Sequence, residues 1–283
     1  MYIISPTTSI PDPWVWLRAD YSSSMVLINN TTCSAWNDCR GYATGLTSSA
    51  GRTPYYTASG YLGKPALRFP TSIANSASYL ESPLGTRFND VISSSNGYSY
   101  ALAGFINQTS ASSVAYMLSL APELAQTGMR LTNTGQINYT IPISASNGIL
   151  SSPGINVSVD NSITASTFII GAFVFSSSIA IRTPGITGSG WRNYAIEVAK
   201  SNSFSVPNVL NTRNLGAHTQ SIINSNNIIA TYPMGTCRLG CRQLIGGSVT
   251  NQWQGDMYEI LTWNYPLTEQ EMASVMMYLE RWR

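Results

Sequence analysis

Gly255-Asp256-Met257-Tyr258-Glu259-Ile260-Leu261-Thr262-Trp263-Asn264, followed by Pro266-Leu267-Thr268-Glu269-Gln270-Glu271, is the stretch on which the fold turns. Its first half reads as a strand rich in β-branched and aromatic residues, and Pro266 helps to end it. Beyond the proline the period changes. Met272, Val275, Met276, Leu279 and Trp282 recur at helical spacing, which predicts a helix from about Thr268 to Trp282. Thr268 and Glu271 have the spacing of a capping box: the hydroxyl accepts from the amide three residues on, and the carboxylate reaches back to the cap amide. Arg281 and Arg283 suit the negative end of the helix dipole. A single apolar stripe on such a helix points to docking on its own domain.

Upstream, the chain reads almost entirely as strands. Trp14-Val15-Trp16-Leu17 is apolar on both faces, as a strand between two layers would be. Tyr79 to Ser82, Tyr98 to Leu102, Ile137 to Ile141, Ile155 to Val159 and Tyr194 to Val198 show the two-residue period of half-buried strands. Gly, Pro, Asn and Ser clusters separate them, and many strands with frequent turns predict a sandwich. The 283 residues are 43% hydrophobic and 10% charged, enough apolar material for a sizeable core and too much for a disordered chain. No composition break divides residues 14–283, which read as one domain preceded by an extended segment over residues 1–13.

Fifteen basic and thirteen acidic side chains give a net charge of +2, and the arginines are scattered singly, so a phosphate-tracking nucleic-acid interface is not expected. The longest apolar run, Phe168 to Phe175, is too short to span a bilayer, and no membrane insertion is expected. Residues 1–13 carry no basic residue before their apolar ones and are broken by Pro6, Pro11 and Pro13, unlike a secretory signal. Two readings follow: a leader removed beforehand, or assembly without export, which fits a virus particle. The extended segment could also add to the sheet edge of a neighbouring protein. Cys33 with Cys39 and Cys237 with Cys241 form two local pairs that leave disulfides or free buried thiols open.

The two ends of the chain together resemble the concanavalin A-like lectin/glucanase superfamily, in its LamG-like jelly-roll branch. The C-terminal stretch quoted above, with Tyr278-Leu279-Glu280-Arg281-Trp282, is similar to the family's closing strand, turn and helix. Trp16-Leu17-Arg18-Ala19-Asp20, Trp36-Asn37-Asp38 and Pro65-Ala66-Leu67-Arg68-Phe69 resemble its N-terminal section. The resemblance implies an all-β, two-sheet antiparallel jelly-roll sandwich with a short C-terminal α-helix. It also implies that Glu259 is a structural residue, bonded to backbone or to a nearby arginine.

A fold of this kind hosts lectins, hydrolases and virion decorations, so chemistry has to be read from residues. Glucanases of the family carry Glu-x-Asp-x-x-Glu on one strand face, and that pattern is absent. Asp256 and Glu259 are three apart in a strand, so their side chains are expected to point to opposite faces and cannot flank one glycosidic bond. His218, the single histidine, has no nucleophile or metal-ligand companion at a recognisable spacing, and Arg213 and His218 read as loop residues. No Asp-x-Asn cluster suggests calcium, and no cofactor or metal is expected.

A binding surface needs aromatic rings outside the core, because sugars stack their apolar faces on flat rings while amides and hydroxyls meet the hydroxyl groups. The candidates are Trp191, Arg192, Asn193 and Tyr194, which follow a Gly-rich stretch, together with Trp253. The expected function is that of a non-enzymatic virion structural or receptor-binding protein, a capsid decoration, fibre or tail component. Its partners would be other virion proteins and a host-surface glycan, and self-association is compatible with that role. The alternative is a secreted or cell-surface carbohydrate-binding module, and behind it a glycoside hydrolase with an atypical site.

Overall fold

The strand Gly255–Trp263 is the spine of the molecule and is buried along its whole length. In this computed structural model the described residues are 10–41, 45–48, 52–70, 78–82, 87, 97–107, 115–119, 128–131, 137–144, 150–158, 166–176, 190–198, 227–228, 237–243, 249–250 and 252–283. One edge of the spine pairs with Val15–Arg18 and, further along, with Ala66–Phe69; the other pairs with Gly97–Ile106. Thr167–Ser176 and then Gly190–Val198 extend this first sheet, every pairing antiparallel.

A second antiparallel series begins with the hairpin of Met25–Ile28 and Thr32–Trp36. Its turn places Asn29 and Asn30 at φ of 52° and 61°, a left-handed pair that asparagine tolerates better than most residues. The series continues through Leu46–Thr47, Leu80–Glu81, Arg238–Leu239, Ala115–Ser119, Gly128–Leu131, Ile137–Ser144 and Leu150–Ser158. Tyr55–Thr57 bridges the two series, pairing with Thr32 on one side and with Ala66–Phe69 on the other.

Side-chain alternation sorts the core into two layers. Leu17, Leu67, Phe69, Tyr100, Leu102, Ile169, Phe173, Met257 and Ile260 of the first sheet meet Cys33, Trp36, Leu46, Leu80, Met117, Leu118 and Leu239 of the second. The opposite face of the first sheet offers Trp16, Ala101, Ala103, Ile170, Ala172, Val174, Tyr258, Leu261 and Trp263. On it lie Leu267, Met272, Val275, Met276, Leu279 and Trp282. The chain is thus the all-β two-sheet sandwich with a C-terminal helix that the sequence predicts. Burying a side chain the size of Leu contributes about 1.5–3 kcal/mol, so the helix stripe is a substantial part of the second layer.

The helix spans Glu269–Leu279 with Thr268 as its cap. Thr268 Oγ1 accepts from the Glu271 amide at 3.2 Å, and the Thr268 amide donates to Glu271 Oε2 at 2.8 Å. The α-helix ends before the predicted Trp282: Glu280–Trp282 tightens into a 3-10 turn, which carries Arg281 away from the dipole and toward the sheet. A second departure concerns Tyr98 to Leu102, read as half-buried. These residues are buried on both faces, because the helix covers what would otherwise be the solvent side. Among the described residues no helix is long and apolar enough to cross a membrane.

The folded body already includes residues preceding Trp14. Ile10 is 8% exposed in the helix-side layer, Pro11 O accepts from Trp263 Nε1 at 3.2 Å, and Asp12 pairs with Arg40 at 2.7 Å. The rest of the expected attachment segment, residues 1–9, lies outside the described residues. The four cysteines are free and buried. Cys33 belongs to the layer between the sheets and Cys39 to the helix side, so this local pair is split between layers. Burial pushes all four thiols up to about 12.

Candidate functional site

Regular alternation would separate Asp256 from Glu259, but the spine is not regular. Its pairing with Gly97–Ile106 sets Met257 opposite Gly104 and Glu259 opposite Ala103, leaving Tyr258 as an extra residue. This bulge overturns the expectation of opposite faces: Tyr258 and Glu259 both turn to the helix side, where Asp256 also lies. Gly255 precedes the bulge at φ 149°, and a side chain there would press into Phe105 O.

Sharing a face does not make the two acids a reacting pair. Glu259 is 0% exposed and takes four donors. Oε1 accepts from Trp16 Nε1 at 2.5 Å and Tyr278 OH at 3.0 Å; Oε2 accepts from Arg281 Nη2 at 2.7 Å and Trp282 Nε1 at 2.5 Å. Burial, and then the Glu259 charge, push the Tyr278 phenol well above its ordinary range. The arginine contact expected of Glu259 is present. Asp38, in the Trp-Asn-Asp motif, is likewise enclosed: it accepts from the Trp16 amide at 3.0 Å and from the Arg40 amide at 2.8 Å.

Asp256, also 0% exposed, builds something different. Its Oδ1 accepts from Arg68 Nε at 2.7 Å, and its Oδ2 from Arg68 Nη2 at 3.0 Å and from the Tyr61 amide at 2.8 Å. The Tyr61 loop reaches this carboxylate because residue 60 is glycine; a Cβ there would press into Asp256 Oδ2 and lie 2.9 Å from Ala66 Cβ. The Tyr61 ring stacks with Phe105, centroids 4.9 Å apart at 20°, and the Arg68 guanidinium lies 4.2 Å from its centroid. Asn107 Nδ2 donates to the phenol oxygen at 2.5 Å. Tyr61 is nevertheless 42% exposed. An aromatic ring, an amide and a guanidinium thus form a ledge at the surface, held from below by one buried carboxylate.

The residues predicted to bind lie elsewhere. Trp191, Arg192, Asn193 and Tyr194 belong to the strand Gly190–Val198, in register with Phe175, Val174, Phe173 and Ala172. Alternation along the strand puts positions 191 and 193 on one face of the sheet and 192 and 194 on the other. Trp253 is fully buried between the sheets, because the sandwich uses its large ring as core filling. Arg213 and His218 lie outside the described residues. Among the described residues there is no group of three or more His, Cys, Asp or Glu placed to hold a metal ion.

The ledge was not among the residues singled out from the sequence. Its available signal was Gly60-Tyr61-Leu62-Gly63, an aromatic between glycines in a turn, where a ring has little core to enter.

No family model matches the chain, and no curated protein matches it in sequence. Among solved structures, it is similar to the IT-sialidase CBM40 of Ruminococcus gnavus, at 8% identity and TM-score 0.43 over 76% of this chain and 98% of that one. It is also similar to the SAP-like pentraxin of Limulus polyphemus, at 16% identity and TM-score 0.37 over 63% and 68% of the two chains. A sialidase of Trypanosoma rangeli matches at 10% identity and TM-score 0.43, over 94% of this chain and 32% of that one. These are distant likenesses.

Proposed function

We propose that the protein is a non-enzymatic adhesion module that holds a glycan on the Tyr61 ledge. One observation carries this reading: Tyr61 is fixed by its backbone, by ring stacking and at its hydroxyl, yet stays 42% exposed. A ring already held in place loses little conformational freedom when a ligand arrives, which favours binding. Its flat surface suits the apolar side of a pyranose, with the Asn107 amide and the remaining Arg68 N–H groups beside it for hydroxyls. The acids offer no comparable opening, since Asp256 and Glu259 are both 0% exposed and already engaged by donors.

Such a module serves equally as the receptor-facing part of a virus particle or as a carbohydrate-binding module at a cell surface. What the protein purifies with, virus particles or a cell surface, separates the two. The binding test is calorimetric titration with an oligosaccharide panel. Tyr61→Ala should weaken binding at least about tenfold in a domain that still folds, with the unfolding midpoint lowered by only about 2–6 °C for the lost stacking on Phe105. Retained binding in that variant, or release of reducing ends from any glycan by the wild type, would overturn the proposal.

A further inference from the structure

The pair beneath the ledge carries information about its ligand. Arg68 presents Nε and Nη2 to Asp256 in a two-point contact, so its positive charge is matched by a carboxylate that is 0% exposed. Lys64, the other cation of the Tyr61 loop, donates from its Nζ to the carbonyl oxygens of Arg281 and Arg283. Arg281 in turn is held by Glu259 at 2.7 Å and lies 3.7 Å from Asp20. Among the described residues, Arg68, Lys64 and Arg281 are therefore already engaged, and Arg68, which lies against the Tyr61 ring, has a buried negative charge directly behind it.

Resting on the glycan reading above, we infer that the ledge selects neutral sugars over anionic ones, and that Asp256 is the positioning residue that enforces the choice. A carboxylate-bearing sugar brought to Tyr61 gives up its hydration and meets a guanidinium whose charge is cancelled, so desolvation is not offset. A neutral pyranose carries no such penalty and uses the ring, the Asn107 amide and the Arg68 edge. Asp256 acts on both sides of this balance: one of its oxygens fixes the Tyr61 amide while the two together hold Arg68.

The experiment compares neutral oligosaccharides with their sialylated and uronate-containing counterparts by titration of the wild-type protein, at low and at physiological salt. The neutral members should bind through Tyr61 with little salt dependence, and their acidic counterparts at least about tenfold more weakly. Asp256→Asn should release the Arg68 charge and shift the preference toward acidic sugars by about tenfold, a gain that salt then screens. Gly60→Ala should displace the Tyr61 loop and weaken both classes alike, because it alters shape without altering charge. Acidic sugars that bind the wild type as well as neutral ones, with the binding lost in Tyr61→Ala, would overturn the selectivity and leave the glycan site standing. If Asp256→Asn does not fold, the wild-type comparison decides alone. Absence of any Tyr61-dependent sugar would remove the glycan reading itself.

Discussion

Glu259→Gln is the sharpest test of how the helix is held. The substitution keeps shape and removes one negative charge from a site with four donors: Trp16 Nε1 and Tyr278 OH on one oxygen, Arg281 Nη2 and Trp282 Nε1 on the other. In the best arrangement the amide oxygen replaces Oε2 and keeps Arg281 and Trp282. The Tyr278 hydroxyl can then rotate and accept from the new NH2 group. The Trp16 indole N–H has no such alternative and is left facing a donor. A buried donor without a partner costs about 1–3 kcal/mol, and a hydrogen bond to a charged group contributes about 1.5–3 kcal/mol. Arg281 is 30% exposed, so the loss of its charge partner falls at the lower end. The two effects together give about 3–5 kcal/mol, a large share of the about 5–15 kcal/mol that holds a typical domain folded. For a chain of this length each kcal/mol moves the midpoint by about 2–4 °C, so thermal unfolding followed by circular dichroism should show a fall of about 10 °C. Tryptophan emission should change as well, since two of the four donors are indoles. A midpoint within about 2 °C of wild type would refute the view that this carboxylate clamps the helix to the sheet.

Two further outcomes follow from burial. Because the four thiols are raised to about 12 in the fold, the unfolded chain holds fewer protons once the pH passes about 9, and stability should fall from there upward by about 1.4 kcal/mol per pH unit for each thiol. Unfolding midpoints measured from neutral to alkaline pH should drop steeply in the wild type and less steeply in a variant with all four cysteines replaced by alanine; equal slopes would contradict thiol burial. Removing residues 1–12 takes away Ile10, the Pro11 acceptor of Trp263 and the Asp12 partner of Arg40, and should destabilise the domain by about 2–4 kcal/mol in chemical denaturation. An unchanged denaturation midpoint would show that this strap contributes nothing to the fold.

How much of this was legible depended on whether the deciding interaction is local. Thr268 and Glu271 are three residues apart, and their capping box forms as the spacing dictates. The apolar stripe from Met272 to Leu279 is likewise a local periodicity, and it packs as read. The double burial of the Tyr98 strand was missed, although Ser99, Ala101 and Ala103 hinted at it. They are small residues on alternate positions that let the chain around Leu267 approach, with the Leu267 amide donating to Ser99 Oγ at 2.8 Å. The ledge was harder to see. Tyr61 and Asn107 lie outside the strands while Arg68 and Phe105 belong to two different ones, and Asp256, far along the chain, ties the Tyr61 loop to Arg68. Trp253 shows the converse error, for a large aromatic near polar neighbours in sequence looks like a surface residue until the fold encloses it.

The bulge at Tyr258 is the feature that joins these observations, and nothing in Met257-Tyr258-Glu259 announces it. In a regular strand, neighbours face opposite sides, so one of Tyr258 and Glu259 would enter the layer between the sheets. With the extra residue, both reach Trp282: Tyr258 stacks on its ring with centroids 5.4 Å apart, and Glu259 accepts from its Nε1 at 2.5 Å. Two consecutive strand residues therefore grip one helix-terminal side chain, while Asp256, two positions before the bulge, stays on the same face and holds the Tyr61 loop. A carboxylate left in the inter-sheet layer without partners would be destabilised by several kcal/mol, so the irregular strand is the arrangement that makes this sequence compatible with the sandwich. The same irregularity sets two acids on one face in a fold where paired acids can signal hydrolysis. Here one acid fastens the helix and the other fastens the ledge, and the surface they support is an aromatic one.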